Sequence, residues 1–350
     1  MKMSEFQISN KCVGTEHPPF IIAELSANHK GDIELVKKLM EVATDCGADA
    51  IKIQSYNADT MTIKSDNTDF VIKHGVWKGR SLYELYEKAQ TPFEWHEELF
   101  NFAKKNNIIL FSTPFDESAV ELLIKVGAPA FKISSFENTD TGLIKNVATR
   151  NKPVLISTGM AEKDEIRKVV ETVRQGGCED LLLFHCISCY PASLASSKLN
   201  MIKMLINEFN VLTGLSDHTL GNEAAISAIT LGAVAIEKHF TLDRSLGGED
   251  SSFSVEPKEF RDLVKKSKEV WRSLKDETWA RSSEEIEYKK FRRSIYFVKA
   301  INKGDRLTKE NVRKIRPGFG LPAEFFDEII GKRVKRNVLA GERVSWDLLD

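Results

Sequence analysis

The sequence predicts a (β/α)8 TIM barrel followed by a small C-terminal α+β domain, and three observations carry that prediction. Eight short apolar runs, too short for helices and too unbroken for a one-sided sheet, alternate with segments of helical period. Nearly every run ends on polar or charged side chains. After residue 275 this rhythm stops and shorter, mixed elements replace it. An open doubly wound sheet is the rival arrangement. It would carry a glycine-rich phosphate fingerprint after the first strand, and ELSANHKG is not one.

Residues 20–25 (FIIAEL) read as the first buried strand and 26–32 as a polar turn. Asp32 caps a helix in which Ile33, Val36, Leu39, Met40 and Ala43 recur at helical spacing until Gly47. Residues 49–54 (DAIKIQ) form the second strand. An insert at 55–92, rich in Asp, Thr, Lys and aromatics and containing WKGR, interrupts the pattern; so long a loop reads as a lid or binding loop, with a peripheral decoration as the alternative. A helix at 92–105 and a strand at 108–114 restore the beat. Helix 118–126, strand 130–135, helix 141–149, strand 153–159, helix 163–175 and strand 181–186 continue it. Helix 197–208, a strand from Val211, helix 222–231, a strand from Ala233 and helix 258–274 complete the barrel, assigned to residues 1–275. A charged linker at 276–291 leads to the small domain at 292–350, with a strand at 293–298, a turn at 302–305, a helix at 308–312 and a tight loop at 316–320.

At 350 residues, 42% hydrophobic and 29% charged, the composition is that of an ordinary globular protein. A net charge of -1 gives no field suited to nucleic acid or an acidic membrane, so the expected partner is a small molecule. The opening MKMSEFQISN has no apolar leader and no apolar run reaches about eighteen residues, which places the chain in the cytoplasm. Five cysteines are present, and Cys186 and Cys189 form a lone CxxC without a second pair; they read as pocket lining rather than a zinc or redox motif.

Barrel enzymes work at the carboxyl ends of their strands. Those ends hold Glu24, Lys52 and Gln54, Ser112 and Thr113, Lys132 and Ser135, Ser157 and Thr158, His185 and Ser188, Ser216 and His218, and Glu237, Lys238 and His239. Two lysines among several hydroxyls suit a phosphate held together with a carboxylate. Histidines ending two neighbouring strands suit a divalent metal, although each alone is equally a hydrogen-bonded strand terminus.

Blocks along nearly the whole chain resemble the sialic acid synthases, which join a phosphoenolpyruvate-binding barrel to an antifreeze-like (SAF) domain. They are AELSANHKG, AIKIQSY, FSTPFD, FKISSFE, ISTGMA, GLSDHTLG, EKHFTLDRSLGG, RRSIYFVKAINKGDRL and KIRPGFGLP. ELSANH, WKGRSLYELY and TLDRSLGGEDSSFSVEP resemble the pseudaminic acid branch more than the N-acetylneuraminate or legionaminate branches. The resemblance implies condensation of phosphoenolpyruvate with a 2,4-diacetamido-2,4,6-trideoxy-hexose. It implies Glu24, Glu237, His218 and His239 as catalytic residues, with His218 and His239 holding Mn2+, Mg2+ or Co2+. Lys52, Lys132, Ser135, Ser157 and Ser216 match positions that grip phosphoenolpyruvate; Gln54, Tyr190, Asp250 and Arg316 match sugar-site positions. It further implies a domain-swapped homodimer in which Arg316 reaches the partner's active site. Ser188 stands where neuraminate synthases often have Asn, so that contact is not carried over. A non-catalytic sugar-binding barrel is the alternative of another class, and a phosphosugar aldolase is conceivable from the fold alone.

Overall fold

The structure, a computed structural model, describes residues 5–275 and 278–350. The chain divides into two compact units, residues 1–276 and 277–350. The expected linker begins on Asp276 and Glu277, outside the described residues, and continues into the second unit as helix Ser283–Glu287.

In the first unit eight parallel strands close into a barrel. Numbering all strands in chain order, these are β3 (Phe20–Glu24), β4 (Ala50–Ser55), β5 (Leu110–Pro114), β6 (Phe131–Ile133), β7 (Val154–Ser157), β8 (Leu181–Cys186), β9 (Leu212–Asp217) and β10 (Ala235–His239). β10 returns to pair with both β9 and β3, so no edge is left open. The helices between them follow the expected segments. Ile33–Asp45 is capped by Asp32, whose carboxylate accepts from the amides of Glu34 and Leu35. The helix expected at 197–208 begins later, as Met201–Phe209, after a separate 3-10 turn at Leu194–Ser196.

Three features depart from the sequence reading. A hairpin of β1 (Phe6–Ile8) and β2 (Lys11–Val13) precedes the barrel, and its Phe6, Ile8 and Val13 pack into the same apolar cluster as Phe20, Ile22 and Phe111 from the strands. The 55–92 insert is not one loop: it holds two helices, Ala58–Met61 and Leu82–Ala89. The short helix expected at 308–312 is a turn. There the Asn311 side chain accepts from the Thr308 amide at 2.7 Å and donates to the Arg306 carbonyl at 3.0 Å, offering the backbone an alternative to a helix too short to propagate.

The second unit pairs β11 (Ser294–Phe297) antiparallel with β12 (Val312–Ile315). Ile295, Phe297, Leu307, Val312, Ile329 and Val344 belong to its separate core.

Candidate active site

Alternation along the strands divides the barrel interior into layers. Ile22, Ala50, Ala130, Leu155, Phe184 and Ala235 belong to the inner apolar cluster, whereas Ile51, Phe131, Ile156, Leu183 and Ile236 join the cluster beneath the helices. Two residues further along the same inward rows stand Glu24, Lys52, Lys132, Ser157, Cys186 and Glu237. The interior therefore changes from apolar to ionic within one pleat. At Gly214 a Cβ would meet the Ala235 carbonyl at 2.6 Å and the Phe184 ring at 2.7 Å; glycine there makes room for Phe184, over which Lys132 Nζ sits 4.9 Å from the ring centroid.

The ionic layer is closely knit. Lys52 ion-pairs directly with Glu24, donates to Thr113 Oγ1 at 3.2 Å and lies 3.7 Å from Glu237 Oε1. Lys132 Nζ donates to Ser157 Oγ at 2.8 Å and to Glu237 Oε1 at 3.2 Å, and Ser216 Oγ donates to the same oxygen at 3.0 Å. None of these residues is more than 4% exposed. Ser135 stands in the 3-10 turn after β6 rather than in the strand, where its hydroxyl accepts from the Gly159 amide at 3.2 Å.

Burial and the lysines separate the two carboxylates. Burial pushes Glu24 up to about 7, against the pull of Lys52. Burial acts on Glu237 too, but Lys132 and Lys52 overcome it and hold that carboxyl down at about 2. One carboxylate is thus a fixed anion, while its neighbour changes charge near neutrality. Burial lowers Lys132; Lys52, equally buried, is held above its usual range by Glu237 and Glu24.

His218, just past β9, and His239, at the end of β10, come together as expected, with ring centroids 5.3 Å apart. His218 Nδ1 lies 3.0 Å from the Ile187 carbonyl, which fixes a proton on that nitrogen and leaves Nε2 to act as a ligand once the ring gives up its other proton. Burial opposes the charged ring, but the Cys186 thiol beside it outweighs burial and raises its pKa. His239 Nδ1 is buried without a hydrogen-bond partner, 3.8 Å from Asp250 Oδ2, and burial beside His218 keeps its ring neutral, well below the usual imidazole range. Among the described residues no three His, Cys, Asp or Glu side chains gather into a metal cage. Two imidazoles fit an ion whose remaining positions are left to substrate and water, the open arrangement of a catalytic metal.

Above this lies a cavity of ≈ 770 Å³. Gln54, Ser135, Tyr190, His239 and Asp250 line it, whereas Glu24, Lys52, Lys132, Ser157, Ser216, Glu237 and His218 do not. The Tyr190 ring stands 4.3 Å from that of His218 and 5.2 Å from Phe253. Asp250 accepts from the Ala27 amide at 3.4 Å, and burial raises its carboxyl. Arg316 follows β12 in the second unit and is exposed. Two strand-end residues turn away from the interior: His185 Nε2 lies 2.6 Å from the Ser197 carbonyl, and Lys238 pairs with Asp217.

The sequence reading assigned no role to Thr113 or Phe253 and left Cys186 as pocket lining. Burial would raise the Cys186 thiol, but His218 outweighs it and brings it down to about 7. Strand parity was a signal for Thr113 and Cys186, since both share the inward row; Phe253, in a 3-10 turn, had none.

Residues 39–278 match the NeuB family and residues 292–350 the SAF domain. The chain is 41% identical to a pseudaminic acid synthase of Campylobacter jejuni, over 97% of this chain and 98% of that one. It is 34% identical to an N,N'-diacetyllegionaminic acid synthase of Legionella pneumophila, over 96% of each. The crystal structure of spore coat polysaccharide biosynthesis protein spsE from Bacillus subtilis superimposes with a TM-score of 0.68 at 33% identity, covering 99% of both chains.

Proposed function

The chain belongs to the NeuB family, and from that premise we propose that it is a pseudaminic acid synthase, a C–C bond-forming transferase. It condenses phosphoenolpyruvate with 2,4-diacetamido-2,4,6-trideoxy-β-L-altrose and water, giving pseudaminic acid and phosphate. The observation that carries the reading is the buried layer in which two lysines share two unlike carboxylates. Lys52 and Lys132 hold the phosphate and carboxylate of phosphoenolpyruvate, and Ser135, Ser157 and Ser216 donate to its oxygens. The enol carbon 3 attacks the aldehyde carbon of the open-chain sugar, and positive charge develops at carbon 2. Ionised Glu24 stabilises that charge. Water adds to carbon 2, and cleavage of the C2–O bond releases phosphate. Glu237 orients both lysines, while Gln54, Tyr190 and Asp250 face the sugar.

His218 and His239 would hold Mn2+, Mg2+ or Co2+, which when bound supplies Lewis-acid polarisation of the aldehyde. Arg316 is assigned to the active site of a partner subunit in a domain-swapped homodimer. Among the described residues no helix is long and apolar enough to cross a membrane, and a phosphoenolpyruvate-consuming reaction belongs in the cytoplasm.

A legionaminate or N-acetylneuraminate synthase is the second reading, favoured by the 34% relative. A sugar binder without catalysis would have no use for both lysines. The deciding assay offers 2,4-diacetamido-2,4,6-trideoxy-L-altrose and N-acetylmannosamine separately with phosphoenolpyruvate and Mn2+, following phosphate and the mass of the acid. Turnover of the altrose alone is expected; turnover of N-acetylmannosamine alone moves the chain to the neuraminate branch.

A further inference from the structure

The cavity lining is of two kinds. Its polar side carries Gln54, Ser135, Glu137, His239 and Asp250; the 55–92 insert supplies an apolar stretch, Met61, Leu82 and Leu85, joined by Phe115 after β5. We propose that this insert wall selects a hexose whose carbon 6 is a methyl group over one whose carbon 6 bears a hydroxyl. The inference rests on the function proposed above and adds the residues that read one end of the sugar.

The reacting aldehyde has to sit at the polar side, next to the ionic layer. The far carbons of the open chain are then carried toward the insert. A methyl group there removes apolar surface from water, whereas a hydroxyl loses its hydration against thioether and alkyl groups that return no strong hydrogen bond.

The wall is fixed in place. Tyr56 meets Tyr86 edge-on at 5.8 Å and Phe115 at 5.1 Å. The helix Leu82–Ala89 starts on Ser81, whose hydroxyl accepts from the Glu84 amide at 3.1 Å, and ends where the Ala89 carbonyl lies 3.3 Å from His29 Nε2. Gln90 Oε1 accepts from the Ala58 amide at 3.0 Å, joining the two insert helices. Arg80 ion-pairs with Glu249, and Trp77 Nε1 donates to the Glu249 carbonyl at 3.0 Å, which anchors the insert to the loop carrying Asp250. A wall held at this many points discriminates by shape and polarity instead of yielding to either sugar.

The test compares kcat/KM for the 6-deoxy and 6-hydroxy forms of the same 2,4-diacetamido hexose, in the full-length protein and in Met61→Gln, Leu82→Asn and Met61→Leu. A ratio within one preparation does not depend on its active fraction, so partial misfolding does not disturb it. The unsubstituted protein is expected to favour the 6-deoxy sugar by about 100-fold. The two polar substitutions should lower that preference at least about tenfold, partly by improving the 6-hydroxy sugar, while Met61→Leu preserves it. An unchanged ratio in both polar variants overturns the proposal and leaves the synthase reading standing. Turnover of neither sugar by the unsubstituted protein sinks the pseudaminic acid synthase reading itself.

Discussion

Lys238 Nζ lies 2.5 Å from Asp217 Oδ2, and each side chain is only 1% exposed. Lys238 also donates to the Thr219 carbonyl at 2.8 Å, while Asp217 Oδ1 accepts from the Thr219 amide at 2.9 Å and its hydroxyl at 2.8 Å. The residues on both sides of His218 are thus fastened to the residue between Glu237 and His239. Breaking the pair from one side strands a buried charge. Asp217→Ala should lower stability by about 3–5 kcal/mol, and Asp217→Leu with Lys238→Met together should cost less, the remaining loss coming from the Thr219 groups left without partners. Urea unfolding decides, and equal losses in the single and double variants would show that the ion pair is not the cause.

Glu24 sets a pH limit. Its carboxyl is neutral below about 7 and anionic above, and the proposed role needs the anion. Accordingly kcat/KM should fall as pH drops through about 7, whereas Glu237, held at about 2, stays ionised across the assay range. Glu24→Gln should lose about 10²–10³-fold in kcat. A profile flat from pH 5.5 to 8.5 would remove Glu24 from this role.

Lys132 is the cation shared by Ser157 and Glu237. Lys132→Met should weaken phosphoenolpyruvate binding by about 2–5 kcal/mol, measured by calorimetry without sugar. Lys238→Met, on the outer face of the same barrel end, should leave that affinity nearly intact if the variant folds. Equal effects would mean that general loosening, not the missing phosphate contact, is being read.

Chelation should abolish turnover and Mn2+ restore it. His218→Ala and His239→Ala should each weaken Mn2+ binding at least about tenfold, by analogy with the cost of disturbing ligand geometry. Direct titration with Mn2+ gives a readout apart from activity, and unchanged titration in both variants contradicts the ligand assignment.

Arg316 stands exposed in the second unit. Arg316→Ala should lower turnover while leaving the melting temperature within about a degree or two, as expected for a surface substitution. Full activity would detach this residue from the site.

The barrel and its ionic layer were legible because one physical rule governs both. An inward row that is apolar for most of its length cannot bury a lone charge cheaply, so Lys52, Lys132 and Glu237 at the ends of such rows announce a compensated cluster. The sequence did not say which partner each would take, since Glu24 and Glu237 come from strands far apart in the chain. The helix Leu82–Ala89 was missed although Leu82, Leu85, Tyr86 and Ala89 keep helical spacing behind the Ser81 cap; the polar and aromatic residues around it read as loop. The opposite error at 308–312 came from a segment whose few residues carry no cooperative signal. His185 and Lys238 show the remaining limit: a strand-end position suggests chemistry, but parity decides whether the side chain faces the interior.

The Lys52 and Lys132 charges already have counter-charges in Glu24 and Glu237, so an arriving anion is one too many. Glu24, with its carboxyl at about 7, is the group able to answer by taking up a proton. Phosphoenolpyruvate binding at neutral pH should therefore absorb protons, and its heat should vary with the ionisation enthalpy of the buffer. Affinity then strengthens toward acid while turnover weakens. The acid limb of kcat, which reports the bound state, lies at higher pH than that of kcat/KM, and the working optimum is a compromise between holding the substrate and converting it.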